Sequence, residues 1–333
     1  MFEYAIVGGG ISGIISISVI YSQYPTAKIL WIDSDSFSGG DLRKYPEVPA
    51  NTPINKLIEF IGAIYNLLGI NSTFTDECEI LGVNNFKLYC LSEELRKISA
   101  IIHDIKSISI ETGYIKSIDY RNTVWNLESK KTYVSKKVVL AIGGVPKKLN
   151  YNIPEIPINV ALNPKKLREL YLKGKKITVF GNSHSGILIL KNLTDLGIEN
   201  VQNIIKSPIK IPYLNNKGEA IYQESGIRGI GLNWALQNLV PKNKTNIQIN
   251  TYTENLIINS DYVIYSVGLK PRHMKITNYG KPITFMDDFN DSGLLFTNLY
   301  GIGVAFPKYY TLYGDCEYEI GMWEFLNRAK DIF

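Results

Sequence analysis

Two stretches of the chain repeat one pattern of apolar and polar positions. Residues Phe2–Val7 form a nearly continuous apolar run, as a strand buried on both faces requires. Gly8-Gly9-Gly10-Ile11-Ser12-Gly13 interrupts it, a long apolar run resumes to about Tyr24, and Pro25 ends that run. Lys28–Asp33 is a second short apolar run, closing on an acid. The pattern predicts strand, tight turn, helix, strand: the opening of a doubly wound α/β fold. Lys175–Phe180 and Gly181-Asn182-Ser183-His184-Ser185-Gly186, followed by another apolar helix, repeat it. Each copy is followed later by a strand ending in glycine. Lys137–Ile142 runs into Gly143-Gly144, and Asp261–Val267 runs into Gly268, with Pro271 beyond. The chain therefore holds two copies of one unit.

Between these landmarks the pattern predicts a loop over Ser36–Pro53 and helices over Ile54–Leu68 and from Ser92 to about Lys106. Three β-rich runs follow, Ser107–Thr112, Tyr114–Tyr120 and Thr123–Glu128, and read as a meander. Residues 145–160, with Pro146, Pro154 and Pro157, read as a linker. The expected architecture is two nested Rossmann-like domains with a β-meander in each. One would span residues 1–145 plus 272–333, and the other, inserted in it, residues 155–271.

Composition narrows the function. With 333 residues, 45% hydrophobic and 20% charged, the chain is neither disordered nor collagenous nor a disulfide-built miniature. The net charge of +5 comes without a long basic run, so nucleic acid is not an expected partner. Cys78, Cys90 and Cys316 are odd in number and form no C-x-x-C pair. That argues against a disulfide framework, a zinc ribbon and a dithiol centre. His103, His184 and His273 have no metal-ligand spacing, so no metal is expected; His103, on a predicted helix, reads as structural. The uncharged segment Tyr4–Tyr24 is broken by four glycines, and no basic stretch precedes it. It reads as strand, turn and helix rather than a membrane span, and a cytoplasmic protein with no membrane partner is expected.

Gly8-x-Gly10-x-x-Gly13 follows a strand, opens a helix, and has Asp33 twenty residues after its last glycine. In that context the spacing is that of a dinucleotide site. Gly8 permits the turn, Gly10 admits a pyrophosphate, Gly13 lets helix and strand pack, and Asp33 accepts from a ribose diol. In the second copy Ser183 stands where the middle glycine would be, and Asn182, His184 and Ser185 complete the turn. Counting twenty-five residues from Gly8 reaches Asp33; counting twenty-five from Gly181 reaches Lys206. A base there, with Ser207 and Lys210 beside it, suits a 2′-phosphate, hence NADPH rather than NADH; the alternative is a solvated basic loop. Two such sites imply two dinucleotides, FAD and NADPH.

On these motifs the chain resembles the two-dinucleotide-binding-domain flavoproteins, which include thioredoxin-reductase-like enzymes and flavin-containing monooxygenases. The resemblance rests on Gly8–Gly13, Asp33, Gly39-Gly40, Val138–Gly143, Gly181–Gly186 and Asp261 through Gly268 to Pro271, and it covers nearly the whole chain. It implies FAD contacts from Gly8, Gly10, Ser12, Gly13, Asp33, Gly40, Asp41, Leu42, Gly143 and Gly303. It likewise implies NADPH contacts from Gly181 to Gly186, Lys206, Ser207, Lys210 and Gly268. The glycine-aspartate usual at the last FAD strand is absent, since Val304 follows Gly303. No cysteine occurs in residues 145–195, so the thioredoxin-reductase dithiol is missing.

The serine-rich second turn and Pro49-Ala50-Asn51-Thr52-Pro53 look like flavin monooxygenases. By that likeness Asn51 would sit beside the flavin ring and bound oxygen; the alternative is an ordinary residue capping the next helix. Two departures stand against the likeness: the chain is short for that branch, and its Phe-x-Gly…His fingerprint is absent before the second turn. Arg272 could approach the nicotinamide nucleotide or a surface carboxylate, and the surface is the expected place. The aromatic stretch Phe306–Tyr313 would line a pocket near the flavin, or serve core or homodimer contact. The implied activity is hydride transfer from NADPH to FAD, then oxygenation of a small-molecule substrate. The alternatives are a reductase passing electrons to ferredoxin, a quinone or another acceptor, and a flavin-binding redox sensor.

Overall fold

A computed structural model describes residues 1–35, 37–72, 74, 86–214, 220–221, 226–239, 246–253, 256–286, 289–312 and 315–333. Cys78 and Tyr313 lie outside them. In chain order the main elements begin with β1 (Phe2–Val7), α1 (Ile11–Gln23), β2 (Ile29–Asp33), α2 (Ile54–Leu67) and α3 (Leu88–His103). Next come β3 (Ile108–Thr112), β4 (Ser117–Arg121), β5 (Val124–Glu128) and β6 (Thr132–Leu140). The middle of the chain supplies α4 (Pro164–Arg168), β7 (Ile177–Phe180), α5 (His184–Asp195), β8 (Val201–Ile205), α6 (Gly229–Asn238), β9 (Gln248–Thr251) and β10 (Tyr262–Tyr265). The last part supplies β11 (Lys275–Asn278), β12 (Lys281–Pro282), β13 (Leu294–Phe296), β14 (Leu299–Gly301), β15 (Lys308–Leu312), β16 (Asp315–Glu319) and α7 (Met322–Ile332). The chain divides into two compact units. One comprises Met1–Pro46, Thr52–Val145 and Pro271–Phe333, the other Glu47–Asn51 and Pro146–Lys270.

In the first unit β3, β2, β1, β6 and β14 lie side by side and parallel. Ile29–Ile32 and Ala5–Ile6 have no exposed surface, as expected of strands covered on both faces. Helix α1 packs against α2, α3 and α7, and Ile14, Ile15, Ile17, Val19 and Ile20 are fully enclosed. That enclosure is why the first 24 residues carry so little charge. No described helix is long and apolar enough to cross a membrane.

Two expectations are corrected here. The run at Ser107–Thr112 is not part of a meander. As β3 it joins the parallel sheet, Ile29 opposite Ile108 through Asp33 opposite Thr112, because α3 provides the crossover that a parallel neighbour requires. The meander is β4–β5–β6, antiparallel, built on the first half of β6. Helix α3 begins at Leu88 rather than Ser92. The Ser92 hydroxyl donates to Tyr89 O instead of capping, while Leu91, Leu95, Ile98 and Ile102 extend one buried stripe. His103 packs edge-on against Trp31 and Phe37, the structural place expected of it. Of the C-terminal aromatics, Phe306 is buried in the core beneath the sheet. Tyr309 and Tyr310 are exposed, and Tyr309 stands beside Tyr318 across the β15–β16 hairpin.

The second unit holds a four-stranded parallel sheet in the order β9, β8, β7, β10. A meander is not found there among the described residues. The antiparallel pairing described is the short one of Tyr213–Leu214 with Ala220–Ile221, and ten residues separate β9 from β10, too few for three strands. The proline-rich stretch before β7 is more than a linker. Leu149, Tyr151 and Ile153 pack on Phe180, Ile204, Val263 and Tyr265, and Ile156 N donates to Val263 O at 2.9 Å.

Candidate dinucleotide-binding sites

In the first unit the turn after β1 is shaped by two close approaches. A Cβ on Gly8 would lie 2.2 Å from Ala141 O, and one on Gly13 would lie 2.0 Å from Gly8 O. Strand end, turn and helix are thus in backbone contact, which excludes any side chain at either position. Gly10 is different. The nearest atom to a Cβ there is Gly40 Cα at 4.0 Å, so protein packing leaves its space open. Gly10 is the N-cap of α1 and provides no side-chain cap, so the first-turn N–H groups and the positive end of the helix face that space. A pyrophosphate fits this cradle by size and charge. Gly10 forms a bridge with Gly39, which places the turn carrying Gly40, Asp41 and Leu42 at the cradle's rim.

Asp33 ends β2. Its Oδ2 accepts from Gly9 N at 2.5 Å and its Oδ1 from Asp35 N at 2.7 Å. Burial raises its pKa above the ordinary value, against the Gly9 hydrogen bond and the charges of Arg272 and Arg43. A ribose diol donating to this carboxylate would offset that burial. Asp41 is also penalised by burial, yet hydrogen bonds and charge from Lys44 and Arg272 outweigh it and hold its pKa low. Arg272, expected at the surface, is partly exposed and meets a carboxylate that is itself partly exposed. Its guanidinium pairs with Asp41, its Nη1 donates to Ile142 O at 2.9 Å, and its backbone N donates to Gly143 O at 3.1 Å. It ties the Asp41 turn to the end of the β6 segment. Gly303 meets Ser12: a Cβ on Gly303 would lie 2.2 Å from Ser12 Oγ. That contact brings the turn after β14 onto the first turn of α1.

The second unit repeats the geometry. A Cβ on Gly181 would lie 2.1 Å from Ser266 O, and one on Gly186 would lie 2.5 Å from Gly181 O. Ser183 is the N-cap of α5, exposed and without a side-chain cap bond. Asn182 Nδ2 donates to Ser207 O at 2.8 Å, which draws the Lys206–Ser207 loop to the turn. Gly268 is exposed, with nothing among the described residues within 4 Å of a Cβ. Lys206 and Ser207 are exposed and Lys210 is half-buried. An anionic dinucleotide fits this open, uncapped helix end with cationic groups beside it.

The strand registers correct the count that aligned Asp33 with Lys206. Gly8 N donates to Ile32 O and Gly181 N to Ile204 O. Val7 pairs with Ile32, and Phe180 with Ile204. Ile205, not Lys206, therefore occupies the place of Asp33, and Lys206 comes one residue later. The reason is that one fewer residue separates turn and strand end in the second copy. An apolar residue replaces the acid, so this strand end supplies no carboxylate to a ribose diol.

His184, in the second turn, is shielded from solvent at its ring nitrogens. Both ring nitrogens are buried with no hydrogen-bond partner among the described residues. The imidazole lies against Gly231, whose Cβ would fall 3.4 Å from Nδ1. Burial and the charge of Arg228 lower its pKa, which disfavours the charged form. Asn51 lies on an exposed bend and groups with the second unit. It does not cap α2, whose N-cap is Pro53.

Comparison with known proteins places this geometry. The chain is 22% identical over 377 aligned positions to monooxygenase AgnR1 of Paecilomyces divaricatus, covering 98% of this chain and 96% of that protein. Its fold superposes on a flavin-containing monooxygenase from Stenotrophomonas maltophilia with a TM-score of 0.63 at 12% identity, covering 99% of this chain and 96% of the other. It superposes on OTEMO, solved in complex with FAD and NADP, with a TM-score of 0.59 at 12% identity, covering 92% and 80%. Residues 2–290 match the family defined as pyridine nucleotide-disulphide oxidoreductase. With two uncapped glycine turns of matched geometry and a family match across most of its length, the chain belongs to the pyridine nucleotide-disulphide oxidoreductase family, the flavin-dependent NAD(P)H oxidoreductases.

Proposed function

We propose that this protein is an NADPH-dependent FAD monooxygenase acting on a small molecule. The observation that carries the cofactor choice is the matched pair of strand ends. Asp33 closes β2 with a carboxylate able to accept from a ribose diol, whereas Ile205 closes β8 with Lys206 and Ser207 next to it. The first end suits FAD and the second suits the 2′-phosphate of NADPH. When bound, FAD accepts hydride from the nicotinamide and passes electrons onward. The protein's part is to bind and orient. Gly10 and the α1 N-terminus hold the pyrophosphate, Asp33 the ribose, and Ser183 with the α5 N-terminus the second dinucleotide. With no C-x-x-C in the sequence, the chain has no resident disulfide of that motif to take the electrons. Full-length likeness to a monooxygenase supports oxygen in that role. Asn51 is proposed to act beside the flavin as a hydrogen-bond donor.

The reductase reading shares every binding step and differs only in the acceptor; the exposed position of Asn51 favours it. The two separate in one experiment. Protein reduced by NADPH without oxygen is mixed with oxygen, and the return of the oxidised flavin spectrum is followed together with peroxide release. A slow return, with little peroxide once substrate is present, supports oxygenation. Immediate return with stoichiometric peroxide, unchanged by substrates, refutes it in favour of a reductase. Asn51→Ala is expected to raise peroxide release while reduction by NADPH is kept, and unchanged coupling removes Asn51 from the chemistry.

A further inference from the structure

We propose that the turn spanning residues 164–176 of the second unit docks the protein on an anionic lipid surface. Six of these thirteen residues are basic, Lys165, Lys166, Arg168, Lys173, Lys175 and Lys176, and one, Glu169, is acidic. Against 36 basic and 31 acidic residues in the whole chain, the remainder balances at thirty of each. The excess positive charge of the protein therefore resides in this one segment. All six basic side chains are exposed. Lys175 has an acidic neighbour, Asp261, at 3.7 Å.

The segment is held firmly. Asn163 Oδ1 accepts from Lys165 N and Lys166 N at 3.0 and 3.1 Å, capping α4, and Leu167 and Leu172 are buried beneath it. Between those anchors Leu170 and Tyr171 point outward, 42% and 88% exposed. Tyr171 has a φ of 50°, a left-handed conformation that favours glycine or asparagine over an aromatic residue. An exposed aromatic ring is thus carried, on an unfavourable backbone, within a basic segment.

Exposed basic side chains on both sides, in sequence, of an exposed leucine and tyrosine match the interfacial region of a bilayer. There, basic side chains meet anionic headgroups and tyrosine sits at headgroup depth. The footprint decides against a protein partner. Thirteen residues in one segment fall short of the twenty to thirty per side that a stable protein interface uses. A few charges plus a small apolar wedge are sufficient for reversible membrane attachment. Such attachment needs no membrane-crossing helix.

The test is sedimentation of the full-length protein with phosphatidylcholine vesicles, with and without phosphatidylglycerol. Binding only when phosphatidylglycerol is present, and lost as salt is raised, is expected. Lys165→Glu with Lys166→Glu is expected to weaken it by more than about tenfold. Tyr171→Gly removes the ring while suiting the backbone, so its thermal unfolding should be no lower than wild type while vesicle binding falls severalfold. Equal sedimentation with and without phosphatidylglycerol, or none with either, overturns the proposal. So does Tyr171→Gly leaving vesicle binding unchanged. Binding of a DNA duplex as tight as that of the vesicles would assign the turn to nucleic acid instead.

Discussion

The indole Nε1–H of Trp31 donates to the carbonyl oxygen of Gly8 at 2.9 Å. Trp31 precedes Ile32 in β2. At the matching place in β8, Asn203 donates through Nδ2 to Gly181 O at 2.9 Å and to Val179 O at 3.0 Å. Two unrelated side chains thus satisfy the equivalent carbonyl of each copy, which the close packing of strand and helix would otherwise leave without a partner. Trp31→Phe keeps an aromatic ring but strands Gly8 O. A loss of about 1–3 kcal/mol in stability is expected, with weaker FAD binding. Urea unfolding of apoprotein and a fluorescence titration with FAD check both.

Asp33 predicts a pH dependence of cofactor binding. Its folded-state pKa is raised, chiefly by burial. In apoprotein its contribution to stability therefore declines as pH rises from the ordinary carboxylate value through the raised one. Ribose hydroxyls that donate to the ionised form pull the pKa down again. FAD affinity is then expected to rise over the same window and level off above it. Asp33→Asn is expected to flatten that dependence and to weaken binding about tenfold. FAD titrations at a series of pH values, compared for the two proteins, test it.

Arg272 links Asp41 to Ile142 O and Gly143 O. The pair is partly exposed, so its charge term is worth about 1 kcal/mol or less. Arg272→Ala is expected to weaken FAD binding severalfold and to let the Asp41 pKa rise. The acid limb of FAD binding should then move to higher pH, whereas a purely structural defect would lower affinity equally at every pH.

Asp119 anchors β11 and β12 to β4. Its Oδ1 accepts from Thr277 Oγ1 at 2.5 Å and Gly280 N at 2.9 Å. Burial works against the charge, but these hydrogen bonds and Arg121 hold its pKa below the ordinary value. Its stabilising contribution is complete above the unfolded-state value and is lost as pH falls through the lowered one. Asp119→Ala is expected to cost about 1–3 kcal/mol at neutral pH. The difference from wild type should shrink in acid, as thermal unfolding across that range would record.

The nicotinamide cofactor gives a reciprocal prediction. Ile205→Asp is expected to lower the KM for NADH and raise that for NADPH, by about tenfold each. Lys206→Ala is expected to raise the NADPH value alone. Equal effects of Lys206→Ala on both cofactors would place the lysine away from the 2′-phosphate.

The strand-turn-helix units were legible because their signals are local. Gly8 and Gly13 are required by contacts within one turn and its own strand, and the apolar runs of β1 and α1 follow from burial on all sides. The same locality made the second copy visible from Gly181 and Gly186 alone. What only the tertiary structure decided depends on partners distant in sequence. Register between β7 and β8 moved the acid's place from Lys206 to Ile205, because strand pairing, not residue count, sets equivalence. Gly39 and Gly40 meet Gly10 across some thirty residues of chain. Arg272 finds Asp41 over 231 residues. His184 loses its solvent to Gly231 on another helix. β3 leaves the expected meander because β2 offers it an unpaired edge. None of these choices is encoded in propensity or spacing. Each is a hydrogen bond or a desolvation settled only when separate segments pack together.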